Sequence, residues 1–509
     1  MVAMPPPSEV IPNGWRRFPC SISVLPYLQD HHVAGKTIFP AAEILQHLGG
    51  TVANVRPEFC VTVMGQAAFG RFLEIGPDDD EIRVFHDVKV IENSRISARL
   101  VTVAPSGRSA IRREKIHAIV DFPGSTEHEA AFPYDLSASL EGICFRVSAE
   151  KIYRDLIPFG PAFHSLQGDV FLTEGGGLGR VLAAPHPAPL TPLGSIFPFD
   201  GAMHVACAWS QRFHGIVAFP IGFNERRVMN PTVQGETYCC RILPVRVTPE
   251  NFIFDMIIAD ERGNLRESIR GLTMKDVFVG RGKPPSWIRQ DRGDPLPTLR
   301  ANCHALAVME DDAFFDFAEL ALTPVESERF AKMGRRRQRG YLMGRLALKA
   351  LARELAGGER LTPAQDIHTM MPDGIRPCCP HPSGQTPVSC SLSHDRRFAV
   401  AAVSDEPIGV DVEVLSERVL KARHLFMNDQ ESRLTDASSL GVMPAALRVW
   451  SIKESVTKAI NIPIGDCWQR TDVLEIGEHV SHLKVDGRDY IAFHDTVDDH
   501  LFTLVKRAP

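Results

Sequence analysis

The sequence predicts an α+β protein with two separate cores. Strand-like apolar runs dominate residues 61–278. After residue 301, helix-periodic segments at 335–352 and 449–460 accompany short apolar strands. Between these regions lies GRGKPPSWIRQDRGDPLP (280–297), whose proline, glycine and charge content reads as a linker. A length of 509 residues suggests two to four domains, and 44% hydrophobic content supports real cores. The expected division is a proline-rich tail (1–18), a first domain (19–280), a linker (281–300) and a second domain (301–509).

Composition narrows the function. The net charge is -6, and a single basic run, Arg335-Arg336-Arg337-Gln338-Arg339, argues against nucleic acid as a partner. No apolar run reaches the roughly 18 residues of a membrane span. The start, MVAMPPPSEVIPNGW, lacks the charged and apolar regions of a secretory signal. The 11 cysteines look scattered apart from two vicinal pairs and read as reduced thiols of a cytoplasmic protein. Cys378-Cys379-Pro380-His381 lacks an accompanying C-x-x-C pair, so a metal site there is not expected.

Near the front, Asp30-His31-His32-Val33-Ala34-Gly35 continues through Pro40 into AAEILQHLGG. This is a histidine on a loop, a glycine permitting close backbone approach, and a proline opening a helix. Ala41, Ile44, Leu45 and Leu48 give that helix its buried stripe. Strand-like runs follow at 61–75, 82–91, 96–104 and 115–122, and again at 168–173, 178–183, 237–247, 252–260 and 266–278. The EGGGLGR segment at 174–180 lies between two of these runs and reads as a hairpin turn, since no helix follows to hold a phosphate.

His31, Gly35 and Pro40 fit H-x-x-x-G-x-x-x-x-P. IPFGPAFHSL (157–166) resembles Y-G-P-x-F, and FPFDGAMHVACAW (197–209) resembles D-x-x-x-[QH]. Together these segments resemble the dehydratase domains of polyketide and polyunsaturated-fatty-acid synthases over residues 19–280. The resemblance implies a double hot-dog fold. It makes His31 the base that removes the α-proton of a 3-hydroxyacyl thioester. It makes Asp200 the acid, with a pKa raised by Phe197, Phe199 and Met203, and His204 its orienting partner. The Gly35 N–H would bind the thioester oxygen. Phe159 stands where the family has tyrosine.

The most informative segments are PIGVDVE (407–413) and WSIKESVTK (450–458). AVAAVSDEPIGVDVEVL reads as two strands around a turn at 404–407. Asp411 and Glu413, two residues apart on a strand, point to one side. On the following helix, Val449, Ile452, Val456 and Ile460 form the apolar face, while Trp450, Glu454 and Lys458 share another. Adjacent like charges on a buried-looking strand are costly unless a cation neutralises them. Three oxygen ligands with room for water and phosphate suit Mg²⁺. Alone, the strand would read as an ordinary edge with solvated acids.

Taken with SLSHDRRFAVAAV (391–403) and RRRQRGYLMGRLALKALA (335–352), these segments resemble the large, two-half 4'-phosphopantetheinyl transferases over residues 301–509. The resemblance implies a pseudo-symmetric α+β domain with coenzyme A as substrate and a carrier protein or carrier domain of a polyketide or fatty-acid synthase as partner. It places Mg²⁺ on Asp411, Glu413 and Glu454. Glu454 would take the proton of the attacking serine, and Lys458 would stabilise the departing 3',5'-ADP. Arg345, Lys349, His394 and Lys453 would contact the coenzyme. The family's G-K-P turn appears as Gly374-Ile375-Arg376-Pro377, which leaves Arg376 as the basic contact there. Asn461 stands where the family has glycine. The expected function is therefore a bifunctional transferase and dehydratase. The alternatives are a transferase whose hot-dog half only docks the synthase, and a non-enzymatic scaffold for carrier proteins.

Overall fold

The structure, a computed structural model, describes residues 9–92, 95–104, 113–123, 140–186, 192–311, 317–356, 362–370, 377, 379 and 389–509. It divides into two compact units, residues 1–132 with 145–292, and residues 133–144 with 293–509.

The first half of unit one contains β1 (Glu9–Ile11), β2 (Trp15–Ser23), β3 (His32–Val33), β4 (Lys36–Ile38), α1 (Ala41–Val55), β5 (Val63–Phe69), β6 (Glu74–Ile75), β7 (Glu81–Glu92), β8 (Arg95–Ala104) and β9 (Arg113–Pro123). The second half contains β10 (Phe145–Ser148), α2 (Ala149–Asp155), β11 (Leu166–Thr173), β12 (Gly176–Leu182), α3 (Phe197–His214), β13 (Phe219–Val228), β14 (Thr237–Val247), β15 (Asn251–Asp260) and β16 (Leu265–Lys275). Thirteen strands form one antiparallel sheet in the order β1-β2-β7-β8-β9-β5-β13-β16-β15-β14-β12-β11-β10. A small sheet, β3-β4-β6, stands apart.

Each half is a hot dog, a long helix held against an antiparallel sheet. α1 lies on β7, β8 and β9, and α3 lies on β11, β12, β14 and β15. The β5–β13 pairing fuses the two halves, with Gly222 opposite Ala68. Along β7, Ile82, Val84, His86 and Val88 alternate inward, the pattern of a strand with one face on the core. α3 is buried from Phe197 to Arg212, as a central helix must be. EGGGLGR forms the β11–β12 hairpin, with Thr173 opposite Gly176. Past β16, the Arg212 guanidinium donates to the carbonyls of Ile288, Gln290 and Asp291. That contact holds residues 288–291 in the packing of unit one.

Unit two contains α4 (Pro297–Arg300), β17 (Ala305–Glu310), α5 (Pro324–Ala331), α6 (Arg335–Leu355), β18 (Ser389–His394), β19 (Phe398–Ser404), β20 (Ile408–Val414), α7 (Arg418–Phe426), α8 (Asp429–Asp436), α9 (Val442–Ile460), α10 (Ile464–Arg470), β21 (Thr471–Glu475), β22 (Val480–Val485), β23 (Arg488–Val497) and β24 (His500–Arg507). Its sheets are β17-β19-β18 and β20-β24-β23-β22-β21. A ladder of serine hydroxyls joins them. Ile408 N donates to Ser389 Oγ, Val410 N to Ser391 Oγ, and Ser393 Oγ to Asp411.

The two halves of this unit repeat one device. In the first, Lys349 of α6 pairs with Glu326, the capping-box glutamate of α5. In the second, Lys453 of α9 pairs with Glu431, the capping-box glutamate of α8. Both pairs are buried. The predicted pseudo-symmetric α+β fold is present. No helix of the described residues is long and apolar enough to cross a membrane.

Candidate active sites

The three carboxylates meet where α9 crosses β20. The crossing is close because Gly409 has no side chain, and a Cβ there would stand 1.8 Å from the carbonyl oxygen of Ser455. Asp411 is buried. Its Oδ1 accepts from Ser393 Oγ at 2.9 Å and Lys458 Nζ at 2.9 Å, and its Oδ2 accepts from Ser451 Oγ at 2.8 Å. Lys458 also donates to the carbonyl of Val410. Trp450 donates its indole N–H to Glu413 at 3.0 Å. Glu454 makes no hydrogen bond to the described residues and is half-buried.

Burial, then the Asp411 and Glu454 charges, push Glu413 up to about 7, against the opposing Trp450 hydrogen bond and Lys458. Burial and Asp411 also raise Glu454. Three acids thus share one face with a single lysine, and two of them resist ionisation. A hard divalent cation suits that donor set and would relieve the repulsion.

His394 and Arg345 lie on the same side of this unit. The imidazole of His394 packs over Gly340 of α6. Desolvation, then the Lys458 cation, with Arg345 adding to them, hold it below its ordinary value. Arg345 is buried, bonds the carbonyl and hydroxyl of Thr369 through one terminal nitrogen, and leaves its Nε without a partner. Arg376 lies outside the described residues.

The placement of Lys349 and Lys453 at the coenzyme needs correction. Lys349 Nζ is enclosed by Glu326 and the carbonyls of Ala321, Ala364 and Ile367. Lys453 Nζ is enclosed by Glu431 and the carbonyls of Phe426 and Trp468. An ammonium has three protons, and here they are used inside the fold. Both lysines tie a long helix to the helix before it.

Asn461, by contrast, fits the glycine position. It is the C-cap of α9 at φ 55°, the left-handed conformation that asparagine tolerates best after glycine.

In unit one, His31, Asp200 and His204 line a cavity of about 610 Å³, otherwise walled mainly by aromatic and aliphatic side chains such as Phe69, Phe159 and Met203. His31 is buried, and its Nδ1 donates to the carbonyl of Ile38 at 2.7 Å. That bond leaves Nε2 as the free nitrogen. Burial holds the ring below its ordinary value, despite the nearby Asp200 charge. His32, one residue on, pairs across the β3–β4 hairpin with Thr37. Asp30 pins the opposing loop: Gly160 N donates to its carbonyl and Ala162 N to its carboxylate. Phe159 therefore sits 4.4 Å from the His31 ring and 5.3 Å from the His204 ring.

Asp200 and His204 face each other across one turn of α3, Oδ2 to Nε2 at 3.1 Å. The expected rise in the Asp200 pKa does not occur. Burial pushes it up, but His204 and then His31 outweigh burial, and the carboxyl lies below its ordinary value. The apolar neighbours that would raise it are outweighed by His204, its partner on the helix, and by His31.

Gly35 is also placed differently from expectation. It forms the β3–β4 turn with Ala34 at φ 77° and 52°, and it does not line the cavity, whereas Val33 and Ala34 do. Its lack of a side chain serves the turn rather than a close approach.

Three further residues complete the sites, Tyr153, Ser393 and Ser451. Tyr153 lies 3.1 Å from His204 Nδ1 and accepts the Leu166 N–H. It brings a phenol to the histidine where Phe159 brings none. The serines at 393 and 451 hold Asp411, and both stand inside motifs already quoted, S-L-S-H and W-S-I-K-E.

Residues 407–504 match the 4'-phosphopantetheinyl transferase superfamily. The chain is 32% identical over 83 residues to the 4'-phosphopantetheinyl transferase gsp of Aneurinibacillus migulanus, covering 15% of this chain and 35% of that protein. It is 29% identical over 165 residues to enterobactin synthase component D of Salmonella austin, covering 31% of this chain and 62% of that protein. The match thus spans less than two thirds of either relative. Among solved structures, the chain is similar to the dehydratase domain of a mycocerosic acid synthase-like polyketide synthase, with TM-score 0.42, 17% identity, and coverage of 52% of this chain and 93% of that one. It is likewise similar to the dehydratase domain from the CurJ module of curacin polyketide synthase, with TM-score 0.42, 17% identity, and coverage of 53% and 93%. The hot-dog fold of unit one rests on its own strand order and helices. The carboxylates at Asp411, Glu413 and Glu454 therefore lie inside the segment, residues 407–504, that matches the 4'-phosphopantetheinyl transferase superfamily.

Proposed function

We propose that this chain transfers 4'-phosphopantetheine from coenzyme A to a serine of an acyl carrier protein or carrier domain, and that its first unit dehydrates 3-hydroxyacyl thioesters on such carriers. The first activity is carried by one observation: three carboxylates and Lys458 converge at the β20–α9 crossing, in the segment that matches the superfamily.

Asp411, Glu413 and Glu454 would hold Mg²⁺, which supplies charge neutralisation to the coenzyme pyrophosphate. Glu454, without a side-chain hydrogen bond among the described residues and raised in pKa, accepts the proton of the carrier serine as the serine oxygen forms the new bond to phosphorus. The phosphorus–oxygen bond to 3',5'-ADP breaks, and Lys458 faces the departing charge.

The raised Glu413 makes metal binding pH-dependent. A carboxyl raised in the folded state stabilises the metal-free fold most fully below its ordinary value of 4.5, and that contribution is lost as pH rises towards about 7. A cation at this site must displace the proton. With coenzyme A present, Mg²⁺ affinity should rise about tenfold between about pH 6 and about pH 8, with proton release. Calorimetry in buffers of different ionisation enthalpy checks this, and a pH-independent affinity would contradict it.

His394 and Arg345 are assigned to the coenzyme 3'-phosphate. A charge-assisted contact is worth about 1.5–3 kcal/mol, so His394→Ala should weaken coenzyme A by roughly 10- to 150-fold and leave dephospho-coenzyme A nearly unchanged. Equal weakening of both ligands in a binding titration would remove His394 from that phosphate.

The dehydratase reading rests on the cavity that brings His31 to the Asp200–His204 pair. His31, neutral with Nε2 free, takes the α-proton. The Asp200–His204 pair protonates the leaving hydroxyl, water departs, and a 2-enoyl thioester remains. A docking module would need no buried base opening on such a cavity, which favours the catalytic reading over the docking one.

A further inference from the structure

We propose that the first unit holds a transition-metal site made by Cys20, His47 and His86, separate from the cavity at His31 and from the carboxylates at Asp411. The site follows from register. β2 and β7 pair antiparallel with Phe18 opposite His86. Cys20, two residues along from Phe18, therefore points from the same face of the sheet, on the diagonal to His86. α1 packs on that region and brings His47 to it. One ligand atom from each of the three residues lies within 4.8 Å of the other two.

A second observation singles out a ligand. His86 is 1% exposed, and its Nε2 is buried with no hydrogen-bond partner. The hydrogen-bond chain behind it fixes the tautomer. Thr51 Oγ1 donates to the carbonyl of His47 at 3.0 Å, so it must accept from His86 Nδ1 at 2.6 Å. The proton of His86 is on Nδ1, and Nε2 keeps a bare lone pair in the buried interior where Cys20 and His47 also lie. Buried polar atoms are normally satisfied, and an unsatisfied one calls for an explanation. A histidine whose other nitrogen is held by a hydrogen bond is the usual arrangement of a metal ligand.

The donor set states the metal class. Two imidazoles and one thiol select a zinc-like ion over magnesium. Zinc bond lengths of about 2.0–2.3 Å place tetrahedral ligands roughly 3.3–3.8 Å apart, so the cluster needs to tighten by at most about 1.5 Å. Cys20 and His47 are only partly buried, which gives the ion an entry path. A fourth position is left for water. The bound ion ties α1 to β2 and β7, and binding to the folded state alone raises stability.

The test uses the purified full chain, stripped with a chelator and titrated with Co²⁺ alone, then with Zn²⁺ alone. One equivalent of Co²⁺ should bind with a sulfur-to-cobalt charge-transfer absorption, which the oxygen ligands at Asp411 cannot produce. Zn²⁺ should displace it and raise the melting temperature. Cys20→Ser should abolish the absorption, and His47→Gln should weaken binding. Both positions are partly exposed, and melting of the metal-free variants verifies that they fold. Thr51→Val should keep the stoichiometry but lower affinity by about 10- to 100-fold, the usual effect of losing a bond behind a ligand. An absent charge-transfer band in the wild type, or one that persists in Cys20→Ser, overturns the site.

Discussion

Asp411→Asn is expected to cut pantetheinyl transfer by about 10³-fold or more, the size of effect that several kcal/mol of lost metal charge compensation produces. The asparagine keeps the shape of the side chain beside Ser393, Ser451 and Lys458, so the fold is retained. Asp411→Ala removes all three hydrogen bonds and leaves Lys458 with only the carbonyl of Val410, so it should lose stability as well as transfer. Glu454→Gln is the cleaner test of chemistry, because Glu454 bonds nothing among the described residues. It should not lower the melting temperature, since it removes a charge that burial and Asp411 disfavour, and it should still cost about 10²–10⁴-fold, the usual range for a proton acceptor. Intact-mass measurement of the carrier product reads these rates. Full transfer by Glu454→Gln would remove that residue from the reaction.

His31→Ala should lower dehydration of a 3-hydroxyacyl carrier thioester, or hydration in the reverse direction, by about 10²–10⁴-fold. Asp200→Asn should cost a similar factor. His32→Ala should cost little, because that residue is only partly buried and its neighbour, not it, bonds Ile38. These three variants in the full chain should leave pantetheinyl transfer unchanged, since the groups belong to different units. A wild-type chain that transfers normally but shows no turnover on several acyl lengths would favour the docking role. An essential His32 would show that the motif is aligned one residue off.

Much of this was readable from residues alone, and the misses have physical causes. β7, β8, β9, β14 and β15 fall within a few residues of the apolar runs that predict them, because one face of each is on the core. β13, which fuses the two hot dogs, was invisible. Its sequence, FPIGFNERRV, puts Arg226 inside the core, where it pairs with Glu267, so the strand looks polar. β2 was hidden in the same way, since Arg17 is buried against Asp87.

At the sites, short-range geometry was legible. Residues two apart on β20 and four apart on α9 do converge as the periods require. Long-range environment was not. Nothing in the spacing of Lys349 or Lys453 says that the ammonium turns inward. The signal available was the capping box, threonine three residues before Glu326 and asparagine three before Glu431, which marks glutamates fixed at helix starts. For Asp200 the larger opposing influence was legible, since His204 stands four residues on along the same helix, and only the smaller one, from His31, comes from a loop distant in sequence.

The central claim is that the carboxylates at the β20–α9 crossing make a working pantetheinyl transferase. The most direct measurement is the intact mass of an apo carrier protein incubated with the wild-type chain, coenzyme A and Mg²⁺. The account predicts a gain of ~340 Da on the carrier, the mass of the transferred group, with a chelator blocking it. A carrier that keeps its original mass, while a known transferase modifies the same preparation, would contradict the claim.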